Sequence, residues 1–396
     1  MARQADILRG PFDPGGQPDT RSGNALELGF FAWNLTSGMT ASKAVLSDPE
    51  RLQDFWHWDT ALHMNQLAER IGYEYQVPFA RWKGHGGPSR YNNESLDFLA
   101  AAACLAPVTT TLGIFSTAHV TYKFHPLHLA KIGATIDYVS KGRWGLNIVT
   151  GSGNLSENST FGQKPAEHDK AYDIADEFAT LLKWLWLEEP IDFKGDYYQS
   201  YDATVLPGPA RKPRPVLMNA GNSPAGLNFA AKQCDWAFLT GITLDEYREL
   251  VNRLHGLASG YKRQVRPATM IYIIMAETDR KAHELVQWVE AEVDKVAMHD
   301  WLFVGRAKRP DGAINRLGKD PNDEWAGIGR DMYMRWAMGL TAWHVYGSYE
   351  SVAEQLRALH DTGIESVLTC FFDPIRGLHQ MEDDVIPLLK KMGLRK

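Results

Sequence analysis

Cysteine is scarce in this chain: Cys104, Cys234 and Cys370 are the three among 396 residues, far apart and without a Cys-x-x-Cys pair. That pattern excludes a disulfide framework and a structural zinc knuckle, and it fits a reducing cytoplasm. Long apolar runs are also missing, since no stretch approaches the roughly 18 residues that mark a membrane span. The polar, glycine- and proline-rich start, residues 1–25, lacks the apolar segment of a signal peptide and is expected to be a flexible N-terminal arm. Positive charge is not in excess. A net charge of -6, with no long block of Lys and Arg, leaves no electrostatic footprint for nucleic acid or an anionic membrane.

Several catalytic signatures are absent as well. There is no His-Glu-x-x-His, and His125 and His128 sit beside Pro126 without nearby carboxylates, so no metal site is expected. No Gly-x-Ser-x-Gly elbow supports serine-hydrolase chemistry, and no carboxylate pair has a spacing that identifies a glycosidase. Gly151-Ser152-Gly153 follows a strand but fails as a dinucleotide fingerprint, because the third glycine position is Ser156 and a polar loop follows.

What is present is a long alternation of short apolar segments with helical stretches, the order that a parallel sheet with crossover helices requires. Strands are expected at Leu26–Trp33, Tyr73–Val77, Thr111–Thr117, Arg143–Thr150, Pro215–Ala220, Asp235–Thr240, Ala268–Ala276 and Glu365–Phe372. Helices are expected at Pro49–Ile71, Leu96–Ala106 and Leu127–Val139, after Ser223, Thr243 and Thr278-Asp279, at Ser348–Thr362, and near Met381–Met392. Eight strand–helix pairs favour a closed α/β architecture, a (β/α)8 TIM barrel, as one domain over residues 26–396. Two stretches exceed ordinary barrel loops, 151–168 and 299–341, and read as insertions over the mouth.

The segment from Met218 to Gly226 is rich in small residues; Ser223 can cap the next helix and Pro224 suits its first position. Free N–H groups at such a helix start attract anions, so a phosphate seat and an ordinary tight turn are both open readings of these residues.

Ala134-Thr135-Ile136-Asp137 and the run Gly142–Gly151, Gly-Arg-Trp-Gly-Leu-Asn-Ile-Val-Thr-Gly, resemble the pattern of luciferase-like flavin monooxygenases. Further matches follow in order: His168 with Tyr172 and Glu177-Phe178, Phe193–Tyr198, the Ala-Gly-x-Ser-x-Ala-Gly turn beginning at Ala220, and Gly347-Ser348. Within the bacterial-luciferase superfamily the chain resembles the pyrimidine and dimethyl-sulfone monooxygenases; the stretch Tyr73–Gly87 ends in a Gly-x-Gly-Gly shared with the former. The resemblance implies a two-component enzyme. It would take reduced FMN from a separate NADH- or NADPH-dependent flavin reductase and use O2 to oxygenate a small heterocyclic or organosulfur substrate, including by C–N or C–S cleavage. It implies flavin contacts from Ala80, Arg81, Asn147, Gly151, Tyr172, Ala220, Gly221 and Ser223, and an oxygen pocket lined by Thr117 and Asn147. It also implies a homodimer or homotetramer. A deazaflavin-dependent oxidoreductase on the same barrel and a non-catalytic flavin-binding protein are the alternatives.

Thr117 and Asn147 fall at the carboxyl ends of their strands, where barrel enzymes place their chemistry. Thr117, Asn147 and His119 are the candidate catalytic residues; His119 and Tyr122 are placed to meet substrate polar atoms, and Trp33, Trp82, Trp144 and Tyr122 are candidate pocket walls, with Phe115 behind them. Ala171 stands where the family often has Arg, and Ser152 where the two relatives have Trp.

Overall fold

A computed structural model describes residues 3–4, 11–122, 124–151, 155–164, 166–304 and 318–396. Its strands, in chain order, are β1 (Arg3–Gln4), β2 (Glu27–Phe31), β3 (Tyr75–Val77), β4 (Gly113–His119), β5 (Trp144–Val149), β6 (Ile191–Lys194), β7 (Gln199–Ala203), β8 (Val216–Asn219), β9 (Trp236–Leu239), β10 (Arg266–Ala276), β11 (Trp343–Ser348) and β12 (Ser366–Phe371). Eight of them pair in parallel in the order β2-β3-β4-β5-β8-β9-β10-β12, and β12 returns to β2, so the sheet closes into a (β/α)8 barrel. Each of the eight expected strands lies within or close to one of these.

The principal helices are α1 (Trp58–Arg70), α2 (Phe98–Leu105), α3 (Pro126–Val139), α4 (Leu155–Thr160), α5 (His168–Leu185), α6 (Pro224–Gln233), α7 (Leu244–Gly260) and α8 (Asp279–Ala291). They are followed by α9 (Lys295–His299), α10 (Arg330–Ala337), α11 (Tyr349–His360), α12 (Pro374–Gln380) and α13 (Ile386–Lys391). Their starts are locally encoded. Thr243 and Glu246 form a reciprocal capping box on α7, and Ser223 and Thr278 each accept from a first-turn N–H of α6 and α8.

The two-residue period of the strands divides their side chains. On β5, Trp144, Leu146 and Ile148 face the helices, while Gly145 and Asn147 face the barrel interior. The interior is filled largely by aromatic rings, among them Tyr75, Phe115, Trp236 and Phe238. Gly29 and Gly145 make room for them: a Cβ at Gly29 would meet the Tyr75 ring at 2.8 Å, and one at Gly145 the Phe115 ring at 2.6 Å.

Four elements differ from the sequence reading. β11 is a ninth strand, pairing in parallel with the outer half of β10 from Ile271 to Ala276; its polar His344 and Ser348 and its Gly347 concealed it. β6 and β7 form an antiparallel ribbon between β5 and β8, joined by β1. The expected helix Pro49–Ile71 begins only at Trp58. Residues 11–25 lie against the barrel: the buried Phe12 ring stacks on Trp184 with centroids 4.3 Å apart, and Asp13 pairs with Lys183 (3.0 Å), Arg214 (2.7 Å) and Arg263 (2.6 Å). Burial pushes the Asp13 carboxyl up, but these three cations outweigh it and hold it below the usual range. This cluster sits at the amino-terminal ends of the strands, beside a polar hollow of about 620 Å³ whose acidic and basic walls largely neutralise each other.

Candidate active site

At the opposite end, over the carboxyl ends of the strands, loops enclose a cavity of about 460 Å³. Thr117 on β4 and Asn147 on β5 are direct register partners, and both point into it. The Thr117 hydroxyl donates to the carbonyl of Pro78 (2.7 Å), and Asn147 Nδ2 donates to Thr117 Oγ1 (3.3 Å). An amide has two N–H donors and a carbonyl acceptor. One N–H of Asn147 is thus left over, and its Oδ1 is buried without a partner. The hydroxyl donor of Thr117 is committed, so its part is to fix the amide.

His119 is the next inward residue on β4. Its ring lies on Tyr122 with centroids 4.8 Å apart, its Nδ1 is buried without a partner, and burial pushes its pKa down to about 4, so the imidazole is neutral. Gly151 passes over this pair at φ +65°, and a Cβ there would come within 2.9 Å of Tyr122 and 3.0 Å of His119. Only glycine meets both demands.

Ala80 and Arg81 line the cavity from the loop after β3. Arg81 Nη1 pairs with Glu157 at 3.2 Å, with both side chains buried. Its guanidinium lies 4.8 Å from the Phe79 ring centre and 5.0 Å from that of Trp301, and its Nε has no partner. Glu157, on α4 of the first insertion, also accepts from the backbone N–H of Trp82 (3.0 Å) and from the Tyr122 hydroxyl (3.3 Å). The second insertion contributes Trp301, Trp336, Leu340 and Thr341 to the wall.

Ala220 also lines the cavity, and beyond it the turn into α6 forms a compact seat. Ser223 Oγ accepts from Gly226 N at 3.0 Å, and Asn219 Oδ1 accepts from Gly221 N at 3.0 Å. Tyr172 on α5 hydrogen-bonds Ser223 and Thr150, and burial raises its phenol pKa. Its hydroxyl lies where a Cβ would fall on Gly221 (2.2 Å) or Gly226 (2.7 Å), so both glycines are required by packing.

Seven of the residues singled out from sequence therefore share one wall: Ala80, Arg81, Thr117, His119, Asn147, Gly151 and Ala220. Tyr172, Gly221 and Ser223 form the adjoining seat. The expected pocket walls need correction. Trp33 is only 1% exposed and packs in the barrel-to-helix core, donating Nε1 to Gln76 (2.6 Å). Trp144 is likewise core, held by Ser116 (3.0 Å), and Phe115 fills the barrel interior. Trp82 and Tyr122 line a separate, mostly apolar cavity of about 450 Å³ on the far side of His119. Ser152 lies outside the described residues. The sequence reading missed Phe31, Phe79, His85, Glu157, Phe238, Met270 and Trp301. Of these, His85 had a usable signal, as the one side chain inside the Gly-x-Gly-Gly that closes the second-strand region.

A family model described as luciferase-like monooxygenase matches residues 27–366. The chain belongs to the luciferase-like monooxygenase family. Among relatives in that family, pyrimidine monooxygenase of Acinetobacter baylyi is 30% identical, over 82% of this chain and 85% of that protein. The FMNH2-dependent dimethylsulfone monooxygenase of Pseudomonas putida is 24% identical over 93% of this chain and 96% of the other. The crystal structure of a riboflavin lyase with modified FMN and riboflavin superposes with a TM-score of 0.80 at 21% identity, covering 94% of this chain and 92% of that one, a likeness of fold. A luciferase-like barrel thus carries the cavity, its loops and the seat at α6. Among the described residues, no helix is long and apolar enough to cross a membrane.

Proposed function

We propose that this enzyme is a two-component monooxygenase that receives reduced FMN from a separate NAD(P)H-dependent flavin reductase and uses O2 to oxygenate a small heterocyclic or organosulfur substrate. The observation that carries the proposal is the Asn147 amide at the strand end. It is fixed by Thr117, buried, and presents one free N–H and one unpartnered oxygen to the cavity. Neutral groups of this kind stabilise a small reactive oxygen species without adding a titratable competitor.

The residues present fit the cofactor. The Gly221–Gly226 turn, closed by the Tyr172 hydroxyl, offers backbone, two hydroxyls and a helix start to a phosphate. When bound, reduced FMN supplies the electrons that put one oxygen atom of O2 into the substrate and the other into water. The protein's part is positional. Tyr172 and Ser223 hold the phosphate end, Gly151 and Ala220 let the backbone approach closely, Arg81 is locked by Glu157, and Trp301 and Trp336 keep water out.

The remaining proposals concern setting. α2 reads Phe-Leu-Ala-Ala-Ala-Ala-Cys-Leu, yet Ala100, Ala103 and Cys104 face solvent, and nearby Leu127, Ile132, Tyr138 and Val139 on α3 are exposed. A helix apolar on every side needs a cover, which supports a homodimer or homotetramer; light scattering after gel filtration measures it. Three free cysteines support a cytoplasmic location.

The deciding test supplies reduced FMN, labelled O2 and a substrate panel, and follows incorporation of one labelled atom. No incorporation with any substrate, together with tight deazaflavin binding, would replace this reading by hydride transfer.

A further inference from the structure

His85 has no role in the site as described so far. It sits on the loop Gly84-His85-Gly86-Gly87, and that loop is tightly determined. A Cβ at Gly84 would lie 2.5 Å from the Asn92 backbone, and one at Gly87, which has φ +72°, would lie 2.4 Å from the Asp294 carboxylate. The His85 ring packs on Trp301 with centroids 4.3 Å apart, and beyond it lies Tyr91 at 5.9 Å. Its Nδ1 is 2.9 Å from Asp300 Oδ2, in the turn Asp300–Val304 of the second insertion. The residue is 7% exposed and lines the cavity, and its Nε2 is buried with no partner.

A carboxylate only accepts hydrogen bonds, so Nδ1 carries the ring proton and Nε2 is a bare lone pair. Burial pushes the His85 pKa down to about 4, so the ring stays neutral and Nε2 stays an acceptor at neutral pH. Arg81 also lies against the Trp301 ring, with its Nε likewise unpartnered. An acceptor and a donor thus stand on one aromatic floor. Leaving either desolvated and unpaired costs free energy that a matching ligand recovers.

We infer that His85, held by Asp300, is the specificity-determining acceptor of this cavity, and that its substrate is a neutral planar molecule presenting an N–H or O–H donor beside an oxygen acceptor. This rests on the monooxygenase reading of the cavity. It also narrows that reading, because a sulfone or an alkane has no donor to offer Nε2.

The test needs no turnover. 2-Pyridone and N-methyl-2-pyridone share ring and carbonyl and differ in the N–H; their binding to the full-length protein is measured by calorimetry without O2. The wild type is expected to prefer 2-pyridone by about tenfold, the value of one buried, otherwise unsatisfied hydrogen bond. His85→Phe keeps the packing on Trp301 and should abolish the preference by weakening 2-pyridone alone. His85→Gln, which can still accept, should restore part of it. Equal binding of both probes to the wild type, no binding of 2-pyridone, or an undiminished preference in His85→Phe would each overturn the inference. Labelled-oxygen incorporation into dimethylsulfone without discrimination between the pyridones would sink this inference and leave the monooxygenase reading standing.

Discussion

Replacing Asn147 by alanine separates chemistry from folding, and the structure sets both magnitudes. In the folded protein the side chain makes a single hydrogen bond, to Thr117 at the long distance of 3.3 Å, while its Oδ1 has none. Truncation gives up one weak bond and also removes a desolvated acceptor, and these terms oppose each other at about 1 kcal/mol each. Stability should therefore change by less than about 1 kcal/mol, read as a nearly unmoved urea midpoint. Product formation should behave differently, because loss of one oriented donor at a reacting centre costs on the order of 100-fold. The Tyr172–Ser223 seat is on other elements, so reduced-FMN affinity should be retained. The assay is anaerobic FMN titration followed by stopped-flow mixing with O2 and substrate, scoring labelled product per flavin oxidised. Thr117→Val should copy part of the defect and Thr117→Ser should not, since only the hydroxyl fixes the amide. Wild-type product per flavin in Asn147→Ala would refute the assignment, whatever the stability shows.

Tyr172→Phe and Ser223→Ala should each weaken reduced-FMN binding by about 1 kcal/mol if each removes one phosphate contact; equilibrium titration with unchanged affinity in both would misplace the seat. Asp13→Ala should destabilise the fold by roughly 3 to 5 kcal/mol, because it strips a carboxylate from buried Lys183, Arg214 and Arg263; an unmoved urea midpoint would show the cluster to be self-sufficient. His85 has a folded pKa of about 4, against about 6.5 for a free imidazole. Between those values the unfolded chain binds a proton that the folded chain refuses, so stability falls as pH drops from about 6.5 to 4, by up to about 1.4 kcal/mol per pH unit from this group. Urea melts of His85→Phe across that range should show a pH slope smaller by one proton; an identical slope would place His85 in contact with solvent.

The barrel was legible because its signal is repeated: each apolar segment followed by a helical one supports the next, and local caps such as Thr243 with Glu246 agree with it. Thr117 and Asn147 were legible because strand ends can be located and period two sends both inward. Other features depend on partners distant in the chain. Glu157 lies in a polar stretch that reads as solvated loop, and its burial is explained by partners distant in the chain, Arg81, the Trp82 backbone and Tyr122. Asp13 lies in an arm whose composition suggests disorder, and its cations come from α5 and from the entries to β8 and β10. Trp33 shows the opposite failure: a large aromatic near a strand end can serve core or pocket, and a buried glutamine, Gln76, drew it to the core. His85 needed both its orphaned nitrogen and Asp300 to stand out from the glycines around it.

The strand β11 has a consequence for how this scaffold can change. The ring of eight is already closed through the lower half of β10, by Arg266–Thr269 against β9, so β11 adds to a finished cylinder. The second insertion leaves the sheet after β10 and re-enters it through β11, and both ends are pinned by the same ladder. Sequence between them can lengthen, shorten or exchange its aromatic residues without reopening the cylinder. Diversity of substrate among such enzymes can then accumulate in one clamped segment, while the strands that carry Thr117 and Asn147 remain unaltered.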